Sequence, residues 1–273
     1  MKDGALTLMA VHAHPDDEAS GTGGLLAKCA AEGIRTVLVV CTDGRYGDAP
    51  GGVKPGDDGH DHAEVIATRQ RELAASCEIL GVDHLELLGY SDSGMMGWPS
   101  NDEPGAFWTT PIDEAAATVR SLIEHYRPDV VVTYDENGFY GHPDHIQAHR
   151  VTMAALASTD IPSKVYWTTA SRSMFDQMVR TMRDLGADWE EDPGEPAIGV
   201  PDDEVTTLVD VHAYSHQKFA ALAAHASQSE NILFLQMGET KFDELMGVEA
   251  FLRVRDRTGA QLPEDDVFRG LRS

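Results

Sequence analysis

Basic residues are scarce in this 273-residue chain: 21 Lys and Arg stand against 46 Asp and Glu, and 46 minus 21 leaves a formal charge of −25. A chain this acidic has no footprint for a phosphate backbone or an anionic bilayer, and no basic block of roughly five residues supplies one locally. Nucleic acid and membrane are therefore excluded as partners. Long apolar runs are missing as well; none approaches the roughly eighteen residues of a spanning helix. The apolar stretch at 5–11 is too short, and too soon followed by His and Asp, for a secretory segment, so a cytoplasmic location is expected. Cysteine is rare and odd in number. Cys29, Cys41 and Cys77 make no Cys-x-x-Cys pair, and each lies in an apolar segment, as a buried inert thiol would.

What is present suits a folded enzyme. Apolar residues make up 42% of the chain, enough for a sizeable core, and the charged share of 25% is ordinary. The length approaches two average domains, yet α/β chains of this size often form one unit. Strands are predicted at 6–13, 36–41, 85–88, 129–133 and 165–168. Helices are predicted at 24–32, 63–80 (ending at Gly81), 111–126, 145–158 and 173–185, the third with Thr110 as N-cap and Pro111 at N1. This alternation predicts an α/β fold: a Rossmann-like, mostly parallel sheet flanked by helices, with a smaller C-terminal portion. Three segments interrupt it. The Gly- and Pro-rich 42–60 and the Met- and Trp-bearing 89–110 both follow strands and are lid candidates. Residues 187–204 hold eight acids and no base. The division expected is a catalytic core at 1–186, an acidic connector at 187–204 and a portion at 205–273 packing on the core, within a single overall domain.

Two His/Asp clusters carry the chemistry. His14-Pro15-Asp16-Asp17-Glu18 follows the first strand, and Tyr140-Gly141-His142-Pro143-Asp144-His145 follows the strand at 129–133. In the doubly wound order 3-2-1-4, those strands are neighbours at the switch point where such sheets bind ligands. The clusters would then face each other. Two imidazoles and a carboxylate suit a catalytic zinc with an open position: His14 and Asp17, three apart on a turn, and His145 as the third ligand. Asp16, pointing elsewhere, is free to act as general base. One such cluster alone is explained as well by a helix cap with a His beside it; two at adjacent strand ends are not.

The string Ala13 to Glu18, with His142-Pro143-Asp144-His145 downstream, resembles the PIG-L/LmbE-like zinc deacetylases. That family includes the N-acetylglucosaminyl-inositol deacetylase of mycothiol biosynthesis and the mycothiol S-conjugate amidase. The resemblance spans most of the chain and is weakest beyond about residue 170. It implies His14, Asp17 and His145 as zinc ligands, with Fe²⁺ able to substitute, and Asp16 as base. His142 and Tyr140 match residues that stabilise the oxyanion or protonate the leaving amine; His142 is the first choice for the acid, with Asp16 recycling its proton as the alternative. Asp144 matches a position that orients an imidazole. Arg69, with Glu72 one turn later, and Asp92 match substrate contacts; an i,i+3 surface pair and a simple Asx turn are the plainer explanations. The function implied is removal of an acyl, usually acetyl, group from the nitrogen of an amino-sugar or glycoside conjugate. A thiol-conjugate-type amidase with a larger acyl group is the alternative. A metal-dependent phosphoesterase, from a different class, would want two metals and a cationic clamp. The sequence leaves room for a homo-oligomer.

Other motifs carry less. His60-Asp61-His62 has no frame of adjacent strands. His145 and His149 have zincin spacing, but Ile146 stands where a Glu is needed. His212 and His216 read as helix surface. Gly21-Thr22-Gly23-Gly24 hints at a dinucleotide site, yet Leu26 replaces the third Gly and three carboxylates would repel a pyrophosphate. Trp98, Phe107 and Trp108 either stack on a sugar or close a minor core.

Overall fold

A computed structural model describes residues 5–186 and 198–272, so most of the acidic connector lies outside the described residues. In chain order the elements are β1 (Thr7–His12), α1 (Asp17–Ala31), β2 (Arg35–Thr42), α2 (His62–Leu80), β3 (His84–Tyr90), α3 (Ile112–Tyr126), β4 (Val130–Tyr134), a single turn α4 (Gly138–Gly141), α5 (Pro143–Ala157), β5 (Lys164–Thr169), α6 (Arg172–Asp184), β6 (Thr207–Asp210), α7 (Ser215–Ala224), α8 (Ser229–Gln236), α9 (Gly238–Met246) and β7 (Val248–Asp256). The sheet order is β3-β2-β1-β4-β5-β7-β6. The first five strands are parallel, and β7 runs antiparallel between β5 and β6.

Alternation along each strand builds two cores. In β1, Leu8 and Ala10 face the layer of α1, α2 and α7, whereas Met9 and Val11 face α3 and α5. With both faces covered, the central strands β1, β2 and β4 are mostly apolar, which is why they are legible in sequence. No helix among the described residues is long and apolar enough to cross a membrane.

The C-terminal portion joins the same sheet through β6 and β7. Buried Glu264 ties it down, accepting from Lys164 Nζ at 2.5 Å, the Tyr166 hydroxyl at 2.7 Å and Arg253 at 2.9 Å. Its segment after α7 also reaches the glycine-rich loop: Asp48 accepts from Ser229 Oγ at 2.6 Å and from Lys54 at 2.9 Å. Asp48 N in turn donates to Gln228 at 3.1 Å.

Two boundaries differ from expectation. Pro111 is the N-cap of α3, not its N1 residue, and the Thr110 hydroxyl instead donates to Ala106 O. Helix α1 begins at Asp17 rather than 24, because tertiary packing overrides the low helix propensity of Gly21, Gly23 and Gly24. A Cβ on Gly24 would lie 2.4 Å from Val211 Cγ2 and 2.6 Å from Val211 Cβ. Gly23 and Gly24 thus bring the helix against Lys218 and Val211 of the C-terminal portion, and all three glycines lie inside the helix rather than in a loop. Gly24→Ala is expected to overpack this contact and cost about 1–3 kcal/mol, seen as a lower Tm with metal content unchanged. A nucleotide-binding role would instead give an intact Tm.

Candidate active site

The turn after β1 and the start of α5 meet above the β1–β4 pair. His14 Nδ1 lies 3.3 Å from Asp17 Oδ2 and 3.3 Å from His145 Nε2, and His145 Nε2 is 3.4 Å from Asp17 Oδ1. Ligands about 2.0–2.2 Å from one tetrahedral ion stand this far apart. Two imidazole nitrogens and a carboxylate are also the donor set of a borderline cation, so the residues present fit a zinc-type metal. His14, His142 and His145 form a further trio within 4.8 Å, and His14 with Asp92 and Asp144 another.

Hydrogen bonds fix which atoms face the cradle. The His14 ring places Nε2 3.2 Å from Asp144 Oδ2 and 3.5 Å from Asp92 Oδ1. Carboxylates at Nε2 hold its proton there and leave the Nδ1 lone pair for a cation. Asp144 is itself held by the Ser93 amide at 2.8 Å. Asp17 Oδ2 accepts the His14 amide at 2.7 Å, which sets that carboxylate. Burial alone would raise Asp17, but His145 and His14 overcome it and hold the carboxyl well below the usual range.

Asp16 stands beside the trio. It has φ 103° and ψ −26°, a left-handed backbone rarely taken by an L-residue, and such strain clusters at functional sites. Its Oδ2 lies 3.3 Å from Arg69 Nη2. Burial, opposed by Arg69, pushes its pKa up to about 6.

His142 caps α5, its Nδ1 accepting the Asp144 amide at 3.1 Å, so Nε2 carries the proton of the neutral ring. Burial, then His14 and His145, pull its pKa well below the ordinary value. Tyr140 is 41% exposed at the mouth, its ring 5.0 Å from that of His145 and 6.0 Å from that of His142.

Arg69 is turned inward. Its guanidinium donates to Gly44 O at 2.8 Å and to Pro15 O. It packs so closely that a Cβ on Gly44, whose φ is +67°, would sit 2.5 Å from Nη1. Glu72 is no surface partner of Arg69; it accepts from Ser227 N at 2.8 Å and Ser227 Oγ at 2.7 Å. Asp92 makes the Asx turn, accepting Gly94 N at 2.8 Å, and also takes Tyr46 N at 3.0 Å while facing His14. Both side chains are buried.

The lesser motifs resolve by contact. Asp61 is the N-cap of α2, and His60 binds Gly47 O. His149 is spent on Tyr134 O. His212 and His216 pair with Asp243 and Glu239 at the surface. Phe107 is core, stacked on Tyr90 at 5.0 Å; Trp108 lies under Arg150; Trp98 stays half-exposed beside Tyr46.

Sequence reasoning missed Tyr134. Its ring stacks on His145 (4.2 Å, 19°), and its hydroxyl takes Ala13 N at 2.9 Å and meets His12 at 3.2 Å. One side chain therefore braces both clusters. The only local signal was an aromatic at the end of a buried strand.

Comparison with known proteins gives the same outline. Residues 9–156 match the model of the PIG-L family, described as GlcNAc-PI de-N-acetylase. A 1D-myo-inositol 2-acetamido-2-deoxy-alpha-D-glucopyranoside deacetylase of Acidothermus cellulolyticus is 41% identical over 283 residues, covering 97% of this chain and 95% of that one. The protein of the same name from Salinispora arenicola is 42% identical over 285 residues, covering 97% and 91%. Among solved structures, the N,N'-diacetylchitobiose deacetylase of Pyrococcus horikoshii superposes with a TM-score of 0.58 at 22% identity, covering 93% of this chain and 85% of that one. The 4-carboxy-2-hydroxymuconate hydratase of Pseudomonas putida does so at 0.59 and 18%, covering 94% and 99%. A hydratase and a deacetylase share this architecture, so the solved structures speak for the fold alone. The family match over more than half of the chain, with relatives of about 40% identity along nearly all of it, places this protein in the PIG-L family.

Proposed function

We propose that the chain is a metal-dependent amidohydrolase that removes the acetyl group from the glucosamine nitrogen of an N-acetylglucosaminyl-inositol conjugate. The observation that carries this reading is the convergence of His14, Asp17 and His145 at mutual distances of 3.3–3.4 Å, with Asp16 alongside. The substrate follows from the two relatives named above, which bear that activity in their names.

His14 Nδ1, His145 Nε2 and the Asp17 carboxylate would hold the cation, Zn²⁺ or Fe²⁺, since a mixed N/O set discriminates weakly between them. When bound, it supplies Lewis acidity toward water and the amide carbonyl. Asp16 accepts the proton of the attacking water, a task suited to a carboxyl held near the operating pH. As the C–N bond breaks, the same carboxyl returns that proton to the departing nitrogen. His142 donates from Nε2 as a neutral ring to the developing oxyanion, because its Nδ1 is committed to the Asp144 amide. The Tyr140 hydroxyl, at the mouth, is the second donor. Each such donor is worth roughly 3–4 kcal/mol. Arg69 acts on the Asp16 carboxylate and the Pro15 carbonyl; Asp92 acts on His14 and the Tyr46 amide, so a sugar hydroxyl would share an oxygen already engaged.

The His142 role has its own check. His142→Leu removes the donor and is expected to lower kcat by about 10²–10³. His142→Gln, which keeps an amide N–H, should recover part of that. Equal loss in both would make the ring an imidazolium acid instead.

Substrate scope tests the whole reading. Metal-loaded protein should release free amine from N-acetylglucosaminyl inositol faster than from N-propionyl and N-butanoyl analogues, followed by mass spectrometry. Preference for the longer acyl groups would favour the larger-acyl amidase; release of phosphate from phosphoesters without any amine would favour the phosphoesterase.

A further inference from the structure

Asp16 keeps a backbone conformation that persists only where its surroundings over-determine it. Its own turn supplies part of that, since Asp16 O accepts Ala19 N at 3.0 Å and Ser20 N at 3.2 Å. Arg69, on α2, meets the carboxylate and Pro15 O, and further support comes from more than two hundred residues downstream. The Asp16 amide donates to Glu18 Oε2 at 2.9 Å. Glu18 is wholly buried, and its Oε1 is held by His225 Nε2 at 2.7 Å and by the Ser76 hydroxyl. His225, just after α7, is wholly buried too, and its Nδ1 has no hydrogen-bond partner among the described residues. Its polar contact is therefore with Glu18. Asn231, in the first turn of α8, donates Nδ2 to Asp16 Oδ2 at 3.3 Å.

We propose that the segment 225–231 positions Asp16, His225 through Glu18 and the Asp16 peptide, and Asn231 through the Asp16 carboxylate. The inference rests on Asp16 being the general base. Asn231 and Arg69 both engage Oδ2, so Oδ1 is the oxygen left to take the proton. Glu18 faces the peptide and His225 and has no oxygen to spare for the cation. The three are positioning residues, acting through Asp16 rather than on substrate. They also give the C-terminal portion a part in the chemistry: it aims a side chain that the first strand delivers.

The test is a double-mutant cycle on the metal-loaded enzyme, with kcat, KM and metal content read for each protein. Asn231→Ala removes a hydrogen bond to a charged group and is expected to lower kcat about 10-fold, leaving KM and metal content near those of the parent. His225→Ala strands Glu18 as a buried carboxylate and can cost the fold itself. His225→Gln keeps a donor toward Glu18, and its kcat should exceed that of whatever folded His225→Ala is recovered. In the Asp16→Asn background, Asn231→Ala should lower kcat no further, because residues that act through one group are not additive. The same loss in both backgrounds would make Asn231 generic packing and overturn the proposal, as would an unchanged kcat in Asn231→Ala. If Asp16→Asn alone keeps full kcat, the base assignment fails first, and is seen to fail separately.

Discussion

Asp16→Asn is expected to lower kcat by about 10²–10⁴ while the protein retains its metal, because the substitution removes the proposed proton acceptor and leaves the three proposed ligands in place. KM should move little, the loss being confined to the transition state. The neighbouring carboxylate should behave in the opposite way. Asp17→Asn takes charge from a side chain poised 3.3–3.4 Å from both imidazoles and should weaken metal binding. Asp16 must be ionised to accept a proton, so kcat/KM should fall as pH drops through its pKa. That value is about 6 in the metal-free chain, and a nearby dication would draw it lower, so the acid limb belongs at or below pH about 6. The limb should shift or vanish in Asp16→Asn. Equal loss of metal from both variants would make Asp16 a ligand and send the search for a base elsewhere; full activity in both would reduce the first cluster to a helix cap.

His14→Ala and His145→Ala should each lose the cation under conditions where the parent holds about one per chain, and activity should fall to background with it. Each removes one of the three proposed protein ligands, and a site left with two protein donors holds a borderline cation far more weakly than one with three. Asp144→Asn should be milder. It leaves all three ligands but loosens the grip on His14 Nε2, and supports of this kind are worth about 10–100-fold in metal affinity. His149→Ala supplies the control: it has helical spacing from His145, but its ring is tied to Tyr134 O, away from the trio, so metal content should not change. Elemental analysis and competition with a chromogenic chelator read all four. Retention of metal in both His→Ala variants would end the ligand assignment.

The central strands β1, β2 and β4 were legible because they are buried on both faces and so read as mostly apolar runs, residues 130–132 most plainly. The switch point was legible for the same reason: once strand order is fixed, two clusters that follow β1 and β4 must meet. What escaped depended on distant partners. The start of α1 at Asp17 was hidden by three glycines, of which Gly24 admits Val211 and Gly23 lies against Lys218. Thr110 looks like an N-cap in isolation, but its hydroxyl finds Ala106 O. The inward turn of Arg69 is set by Gly44 and Pro15, on two other loops. No strand was read beyond residue 205, where β6 and β7 lie antiparallel at the sheet edge. Tyr134, His225 and Asn231 have no motif of their own. Each matters only through a neighbour that the fold supplies.

The most direct measurement is stoichiometric. Metal-loaded protein incubated with N-acetylglucosaminyl inositol should yield acetate and a primary amine in equal amounts. A chelator should abolish both products, and about one equivalent of Zn²⁺ or Fe²⁺ per chain should restore them. Release of amine at the same rate from fully chelated protein, or no amine under any metal condition, would contradict a deacetylase built on His14, Asp17 and His145.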